Sequence, residues 1–417
     1  MSEMTLAEEL QWRGLIKDRT FDDIEWVNTP RTFYLGSDPS ADSLTIGNLA
    51  IYMLARQLAA HGWKAVMLVG GATSLIGDPG GKDEERQLKS KEEVEQNVAG
   101  VAEQVKRIFS GYEFEMVNNY DWFKDIGFLD FLRDVGKHYS MTELVQRDFI
   151  AARMGEGGTG ISYAEFSYNL IQGYDYWWLF KNKGVELQIG GSDQWGNMLS
   201  GAPLIRKKEG KEVHALSMPL VINKATGKKF GKSEDGAVWL DPAKTSPTQF
   251  YQFWINCDDE SVEDHLKVYT MLSKEETDQL MAAHRQNPKE RQAQIRLAQE
   301  VTRLVHGDDE LRVAEVVTQV LTGKTPVQEL DDAALSAMRK EIPAIHAQPG
   351  TEVVDVLAQT NLATSKTEAR RLLEGNAIAI NGEKTQKERL EEGDFQNGRL
   401  LIRKGKAFKD SALVERG

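Results

Sequence analysis

Residues 31–48, R-T-F-Y-L-G-S-D-P-S-A-D-S-L-T-I-G-N, decide how the chain folds. Thr32 to Leu35 read as a short buried strand, Gly36 to Ser43 as a polar turn, and Leu44 onward as a helix with Ile46, Leu49, Met53 and Leu54 on one face. Strand, turn and helix in that order bring backbone N–H groups and the positive end of a helix dipole to the lip of a parallel sheet, where an anionic nucleotide would sit. A second segment, Lys228-Lys229-Phe230-Gly231-Lys232-Ser233, places lysines between glycines, which suits cations that must settle on a polyphosphate. Taken singly, these are an ordinary α/β turn and a solvated basic loop. Together they indicate ATP chemistry.

Working outward, a second strand at Lys64–Val69 is followed by G-G-A-T-S-L-I-G-D-P-G-G-K at 70–82. The β-α-β order implies a parallel, doubly wound sheet. The glycines after the strand would let backbone approach a ligand, and a plain tight turn explains them as well. Lys82 and Arg86 open a charged helix that the pattern carries to about Ile108, and residues 5–18 read as an exposed helix. Residues 119–150 are helical with two aromatic clusters, an insertion packed on the sheet; Trp122 and Phe123 have no polar partner at helical spacing and are assigned to packing. In the helix from Tyr163 to Phe180, Tyr168, Gln172 and Asp175 share a face. Gln and Asp are costly to bury without partners, so that stripe is expected to face a ligand. Strand Val185–Ile189 runs into a second glycine turn, G-G-S-D-Q-W-G-N at 190–197, and strand Ser217–Val221 with the lysine segment closes the domain.

The bulk properties limit the alternatives. With 417 residues the chain is long enough for two or three domains, and no apolar run is long enough to cross a membrane. The acidic, amphipathic first residues do not read as a targeting signal. A single cysteine, Cys257, fits a reducing cytoplasm, and the seven histidines show no pair at metal-ligand spacing. The net charge of −13 argues against a protein that coats nucleic acid non-specifically. From Thr351 to Gly417, however, 12 Lys and Arg face 11 Asp and Glu, against 39 and 53 in the rest, so the tail is where an RNA contact is expected. Helices fill 245–321, and 324–350, with Pro326, Pro343 and Pro349, reads as a linker. The tail then shows two short helices, a strand at Ala377–Ile380 and an Asn381-Gly382 hairpin turn.

The run P-S-A-D-S-L-T-I-G-N resembles the HIGH-type signature of class I aminoacyl-tRNA synthetases, and K-F-G-K-S resembles their KMSKS-type loop. Three longer stretches, at 188–197, 163–175 and 71–79, are similar to bacterial tyrosyl-tRNA synthetases in particular and match the tryptophanyl ones less well. The tail resembles the S4 RNA-binding fold. The resemblance implies a Rossmann-type, HUP-like α/β domain over 1–226 with its insertion at 119–150. A lysine loop and α-helical domain over 227–323, the linker, and a small α+β S4-like domain over 351–417 would follow. It also implies a homodimeric, cytoplasmic tyrosine–tRNA ligase acting on L-tyrosine, ATP with Mg²⁺ as a substrate complex, and tRNA, with no protein-bound metal.

By the same resemblance, Tyr34 and Asp175 would meet the substrate phenol, while Asp78, Tyr168 and Gln172 would hold its ammonium group; Gly36, Gln188 and Gln194 would complete the tyrosine site. Asp38, Gly47, Asn48, Gly191, Asp193, Leu220, Val221 and Lys232 would line the ATP site. Lys82, Arg86, Lys229 and Lys232, with Thr45 and Ser40, would stabilise the reacting phosphates, and Lys366, Arg370, Arg371, Arg403, Lys404 and Lys406 would meet RNA. The chain departs from the pattern where Thr45 and Asn48 replace the two signature histidines and Ser40 stands for threonine. Thr45 can donate once to phosphate but carries no charge. Loss of one such donor costs roughly 2.7–4 kcal/mol of transition-state stabilisation, which slows a reaction without abolishing it. A tyrosine- or RNA-binding regulatory protein with impaired charging is the alternative that Thr45 motivates.

Overall fold

The computed structural model describes residues 4–78, 89–145, 148–155, 158–222, 230–233, 236–405 and 410–417. It contains two compact units: one comprises the chain up to Lys244 with Cys257–Leu297, the other Thr245–Asn256 with Ala298–Gly417.

In the first unit β1 (Asp18–Arg19), β2 (Thr32–Ser37), β3 (Lys64–Val69), β4 (Phe114–Asn118), β5 (Val185–Gly191) and β6 (His214–Met218) form a sheet in the order β1-β6-β5-β2-β3-β4. All neighbours are parallel except the short edge strand β1, which runs antiparallel to β6. The chain winds from β2 through β3 to β4, then returns to the other side of β2 with β5 and β6. This reversal leaves a crevice at the carboxyl ends of β2 and β5, the place where such sheets bind ligands. The doubly wound parallel sheet is therefore as expected. Residues 65–69 are buried throughout, as suits a strand covered on both faces.

Helices α1 (Leu6–Trp12), α2 (Ile46–Ala60), α3 (Lys91–Ile108), α4 (Tyr163–Lys183) and α5 (Val262–Tyr269) accompany the sheet. Ile46, Leu49, Met53 and Leu54 of α2 are all buried, following the apolar stripe in the sequence. α4 opens with a reciprocal cap in which Ser162 Oγ accepts from the Glu165 N–H and Glu165 Oε2 from the Ser162 N–H, and it closes at Gly184 with φ 65°.

Several expectations require correction. The first helix ends at Trp12, not at residue 18, because Gly14 at φ +69° turns the chain; it is also one-sided rather than exposed, with Leu6, Ala7 and Leu10 buried. The last parallel strand spans His214–Met218 instead of 217–221, since Pro219 has no N–H to extend the ladder. α3 starts at Lys91, where Ser90 Oγ accepts from the Glu93 N–H, while Lys82 and Arg86 lie outside the described residues. The stretch 324–350 is not an irregular linker: it holds the helix Asp332–Glu341 and strand β9 (Ala344–Ala347), with the prolines at their borders. Nor do the helices of 245–321 form one domain, because 257–297 belong to the first unit and the flanking segments to the second.

In the second unit β9 joins β10 (Ala379–Ile380), β11 (Glu383–Lys384), β12 (Arg399–Arg403) and β13 (Ser411–Arg416) in the order β11-β10-β12-β13-β9. Asn381 and Gly382 have φ of 47° and 87°, the paired positive values that a two-residue hairpin turn demands. The helices Val353–Gln359 and Lys366–Glu374 bury Val356, Leu357, Ala369 and Leu373 in one core with Leu400, Ile402 and Val414.

Arg13, 3% exposed, ties α1 to the end of α5. Its Nη1 donates to the carbonyls of Lys267 (2.8 Å) and Thr270 (3.0 Å), Nη2 to that of Leu272 (2.8 Å), and both Nε and Nη2 to Glu9 Oε1. Arg13→Met keeps the stem but removes the donor from three carbonyls and from Glu9 Oε1, whose carboxylate keeps only His61 Nε2 at 3.4 Å from its other oxygen. It should lower the unfolding free energy by about 2–4 kcal/mol, read as a shift of the denaturant midpoint; an unmoved midpoint would mean that water replaces these bonds at no cost.

Candidate active site

A cavity of about 410 Å³ opens at the crevice between β2 and β5. Tyr34 enters it from β2, 1% exposed, and its hydroxyl has no hydrogen-bond partner among the described residues. Gln188 of β5, directly across from Tyr34 in the ladder, lines the same space. So does the α4 stripe of Tyr168, Gln172 and Asp175.

Asp175 is 2% exposed. Its Oδ1 accepts from Trp122 Nε1 (2.9 Å) and its Oδ2 from Asn119 Nδ2 (3.2 Å). Burial pushes its pKa well above the ordinary aspartate value; the Asn119 and Trp122 bonds pull the other way, and the charge of Asp38 adds to the rise. The Tyr34 phenol is likewise pushed up, first by burial and then by Asp175. Tyr34 therefore keeps its proton to donate, and Asp175 offers an acceptor. A buried hydroxyl left unpaired costs about 1–3 kcal/mol, so the pair fits a ligand group that both donates and accepts.

A second polar cluster lies beside the first. Asp38 accepts from Tyr168 Oη (2.7 Å) and Thr73 Oγ1 (2.6 Å). Thr73 Oγ1 in turn accepts from Asn119 Nδ2 (3.1 Å), while the Asn119 oxygen accepts from the Ala72 N–H (2.7 Å). Asn119 thus links the carboxylates of Asp175 and Asp38. Gly70 makes the packing here feasible, because a Cβ at that position would lie 2.0 Å from Asp38 Oδ1. Asp78, 7% exposed, accepts from Gln194 Nε2 (2.8 Å) and Asn197 Nδ2 (3.2 Å). Gln172 Oε1 is buried without a partner among the described residues. Asp78, Gln172 Oε1 and the Tyr168 oxygen are acceptors on one cavity, a set suited to an ammonium group.

At the mouth, Gly36, Asp38, Ser40, Gly47, Asn48, Gly191, Asp193, Leu220 and Val221 all line the cavity. Thr45, which precedes α2, does not leave its hydroxyl free for phosphate: its Oγ1 donates to Asn48 Oδ1 (2.8 Å), and its N–H to the same oxygen (3.0 Å). The Asn48 side-chain oxygen thus takes both bonds, and the residue itself is exposed. Lys232 lies in a short hairpin of β7 (Lys232–Ser233) with β8 (Gly236–Ala237). Lys82, Arg86, Lys229 and Lys406 fall outside the described residues. In the second unit Arg370 and Arg371 are exposed and Arg403 half-buried, while Lys366 pairs with Asp355 (2.7 Å) and Lys404 with Glu368 (3.3 Å).

Sequence reasoning missed Asn119, Trp122, Thr73 and Asn197. Trp122 is part of the core, stacked on Trp178 at 4.1 Å, but it is also the donor that holds Asp175, so assigning it to packing alone was incomplete. Asn119 and Trp122 stand three apart just beyond the carboxyl end of β4, and that position in a parallel sheet was the available signal.

The family described as tRNA synthetases class I (W and Y) matches residues 27–322, and the Tyrosine--tRNA ligase SYY-like C-terminal domain matches 334–409. The Tyrosine--tRNA ligase of Bacteroides thetaiotaomicron is 41% identical over 423 residues, covering 97% of this chain and 98% of that protein. That of Bacillus caldotenax is 44% identical over 392 residues, 92% of each. Among solved structures, a C-terminally truncated mitochondrial tyrosyl-tRNA synthetase of Aspergillus nidulans superposes with a TM-score of 0.68 at 30% identity, covering 76% of this chain and 94% of that one. A likeness that runs nearly end to end, with a partnerless phenol and a buried carboxylate at the head of the sheet, leaves one assignment: the chain belongs to the tyrosine–tRNA ligase family of class I synthetases.

Proposed function

We propose that the protein activates L-tyrosine with ATP and transfers it to the 3′ end of its tRNA. The observation that carries this reading is the buried Tyr34 hydroxyl, without a partner, electrostatically coupled to an Asp175 that Asn119 and Trp122 hold in place. The substrate phenol accepts from Tyr34 and donates to Asp175, and phenylalanine would leave both unpaired. Asp78, Tyr168 and Gln172 receive the ammonium group. Gly36, Gln188 and Gln194 complete the tyrosine pocket.

The tyrosine carboxylate then attacks the α-phosphate; an O–P bond forms, the bond to the bridging oxygen breaks, and pyrophosphate leaves. The nucleophile is already ionised, so no residue need remove a proton, and the chain contributes alignment and charge. ATP arrives with Mg²⁺ as a substrate complex. Asp38, Gly47, Gly191, Asp193 and the Leu220–Val221 backbone hold it. Asn48, oriented by Thr45, donates to the phosphates, and Ser40, Lys82, Arg86, Lys229 and Lys232 assist. A ribose hydroxyl of the tRNA terminus next attacks the tyrosyl carbonyl and AMP departs. Arg370 and Arg371, with Lys366, Arg403, Lys404 and Lys406, form the RNA-facing surface of the tail. The role of Thr45 as the orienter of Asn48 supports an enzyme over a regulatory RNA binder.

A homodimer is supported by the insertion. Of seven large apolar side chains exposed among the described residues, three lie in it, Phe128, Leu129 and Met141, and two more, Met154 and Tyr163, follow between it and the first turn of α4. Exposed apolar side chains gathered in one stretch of chain favour an interface there.

Pyrophosphate exchange should depend on tyrosine and fail with phenylalanine or tryptophan; exchange with all three, or with none, would sink the assignment. Trp122→Phe preserves the stack and deletes one bond to Asp175, so the KM for tyrosine should rise about 5- to 30-fold with the KM for ATP unchanged; equal rises in both would refute its positioning role.

The raised pKa of Asp175 gives opposite signs for binding and stability. As pH falls, Asp175 gains a proton earlier than an ordinary aspartate and loses its acceptor, so tyrosine affinity should drop. In the window between the ordinary and the raised value the folded chain binds the extra proton, so stability declines as pH rises. Asp175→Asn should flatten the affinity profile in equilibrium dialysis, and an unchanged slope would assign the titration elsewhere. Phe128→Glu with Leu129→Glu should halve the sedimenting mass while tyrosine binding persists; an unchanged mass places the interface elsewhere.

A further inference from the structure

Residues 236–240 lie alongside the start of α2. On one side this segment is fixed by backbone bonds: Ile46 N–H to the Val238 carbonyl (3.1 Å), Leu240 N–H to that of Leu44 (2.9 Å), and a bridge between Thr45 and Trp239. The β7–β8 hairpin, with Lys232 opposite Ala237, lies just before these ties. On the other side, Phe230 N–H donates to the Val221 carbonyl (2.9 Å), but the Phe230 ring is held by side chains of α5. It lies 4.3 Å from the His265 ring and 6.0 Å from the Tyr269 ring. Both partners are buried. The His265 ring is 6.0 Å from that of Tyr269, and its Nδ1 is 3.0 Å from Cys257 Sγ.

The next residue leaves little freedom. Gly231 has φ +108°, and a Cβ there would stand 3.2 Å from the Gly47 nitrogen, in the first turn of α2. Any shift of Phe230 therefore moves the Gly231–Lys232 backbone against the Thr45–Asn48 turn. The residues proposed for the phenol and ammonium groups, by contrast, come from β2, α4 and the segments around 73–78 and 119–122, whereas His265 and Tyr269 belong to α5.

We propose that Phe230, clasped by His265 and Tyr269, is a positioning residue for the ATP half of the site, setting the distance between the β7 backbone that carries Lys232 and the N-terminus of α2. This rests on the ATP reading above. Phe230 is one of the residues that line the cavity, whereas His265 and Tyr269 are not, so the two rings of α5 act on the nucleotide half only through Phe230.

The test uses the full chain, with pyrophosphate exchange measured while ATP and tyrosine are varied separately and tyrosine binding measured without ATP. Phe230→Leu and His265→Leu should raise the KM for ATP roughly three- to tenfold and leave tyrosine binding within about twofold of the wild type. Phe230→Tyr and His265→Phe, which keep the rings, should restore most of the loss. A role in stability alone would lower the thermal midpoint and degrade both substrates together, and the ring-retaining variants separate that case because they fold around the same contacts. Unchanged KM for ATP in a Phe230→Leu chain that binds tyrosine normally overturns the clasp while the ligase stands. Absence of exchange in the wild type overturns both.

Discussion

A buried carboxylate has to be held, and much of this site follows from how Asp175 is held. Removed from water, it costs free energy unless donors meet it. Trp122 and Asn119 meet it from the segment just past β4, more than fifty residues away in sequence. That requirement fixes the packing of the insertion on the sheet, the orientation of the Asn119 amide and the stacking of Trp122 on Trp178. It also leaves the remaining acceptor capacity of Asp175 facing the cavity, where Tyr34 supplies the complementary donor.

The two halves of the cavity obey different physics. The proposed tyrosine half is built largely from buried strand, helix and loop residues, with Tyr34 Oη and Gln172 Oε1 left without partners among the described residues. The nucleotide half is lined by glycines, exposed polar groups and a hairpin tied to α2 by main-chain bonds. A neutral phenol is best recognised by buried, preorganised partners, since an unmet bond there is expensive. A polyphosphate is already solvated and multiply charged, and is met better by backbone N–H groups, a helix terminus and long cations at the surface.

What could be read from the sequence follows that division. The strand-turn-helix at 31–48, the α4 stripe and the Asn381-Gly382 hairpin are local patterns, written in consecutive residues or in helical spacing, and the structure places them as the patterns imply. Asn119, Trp122 and Thr73 were hidden because their partners are remote; nothing in N-Y-D-W announces a carboxylate on another helix. Thr45 shows the same limit. Its residue type suggests a weakened phosphate donor, whereas in the structure its hydroxyl donates to Asn48, three residues on. The helix at Asp332–Glu341 was lost to the flanking prolines, which mark its borders rather than the absence of structure.

The double duty of Asn119 has a consequence for redesign. One amide group serves both Asp175, in the proposed phenol pocket, and, through Thr73, Asp38, which accepts from Tyr168 in the proposed ammonium pocket. The side-chain specificity of the site and its grip on the common amino-acid backbone are therefore mechanically joined. A library that replaces Asp175 to admit a synthetic amino acid also removes one of the three bonds that hold the Asn119 amide, leaving those to Thr73 and Ala72 to keep it in place.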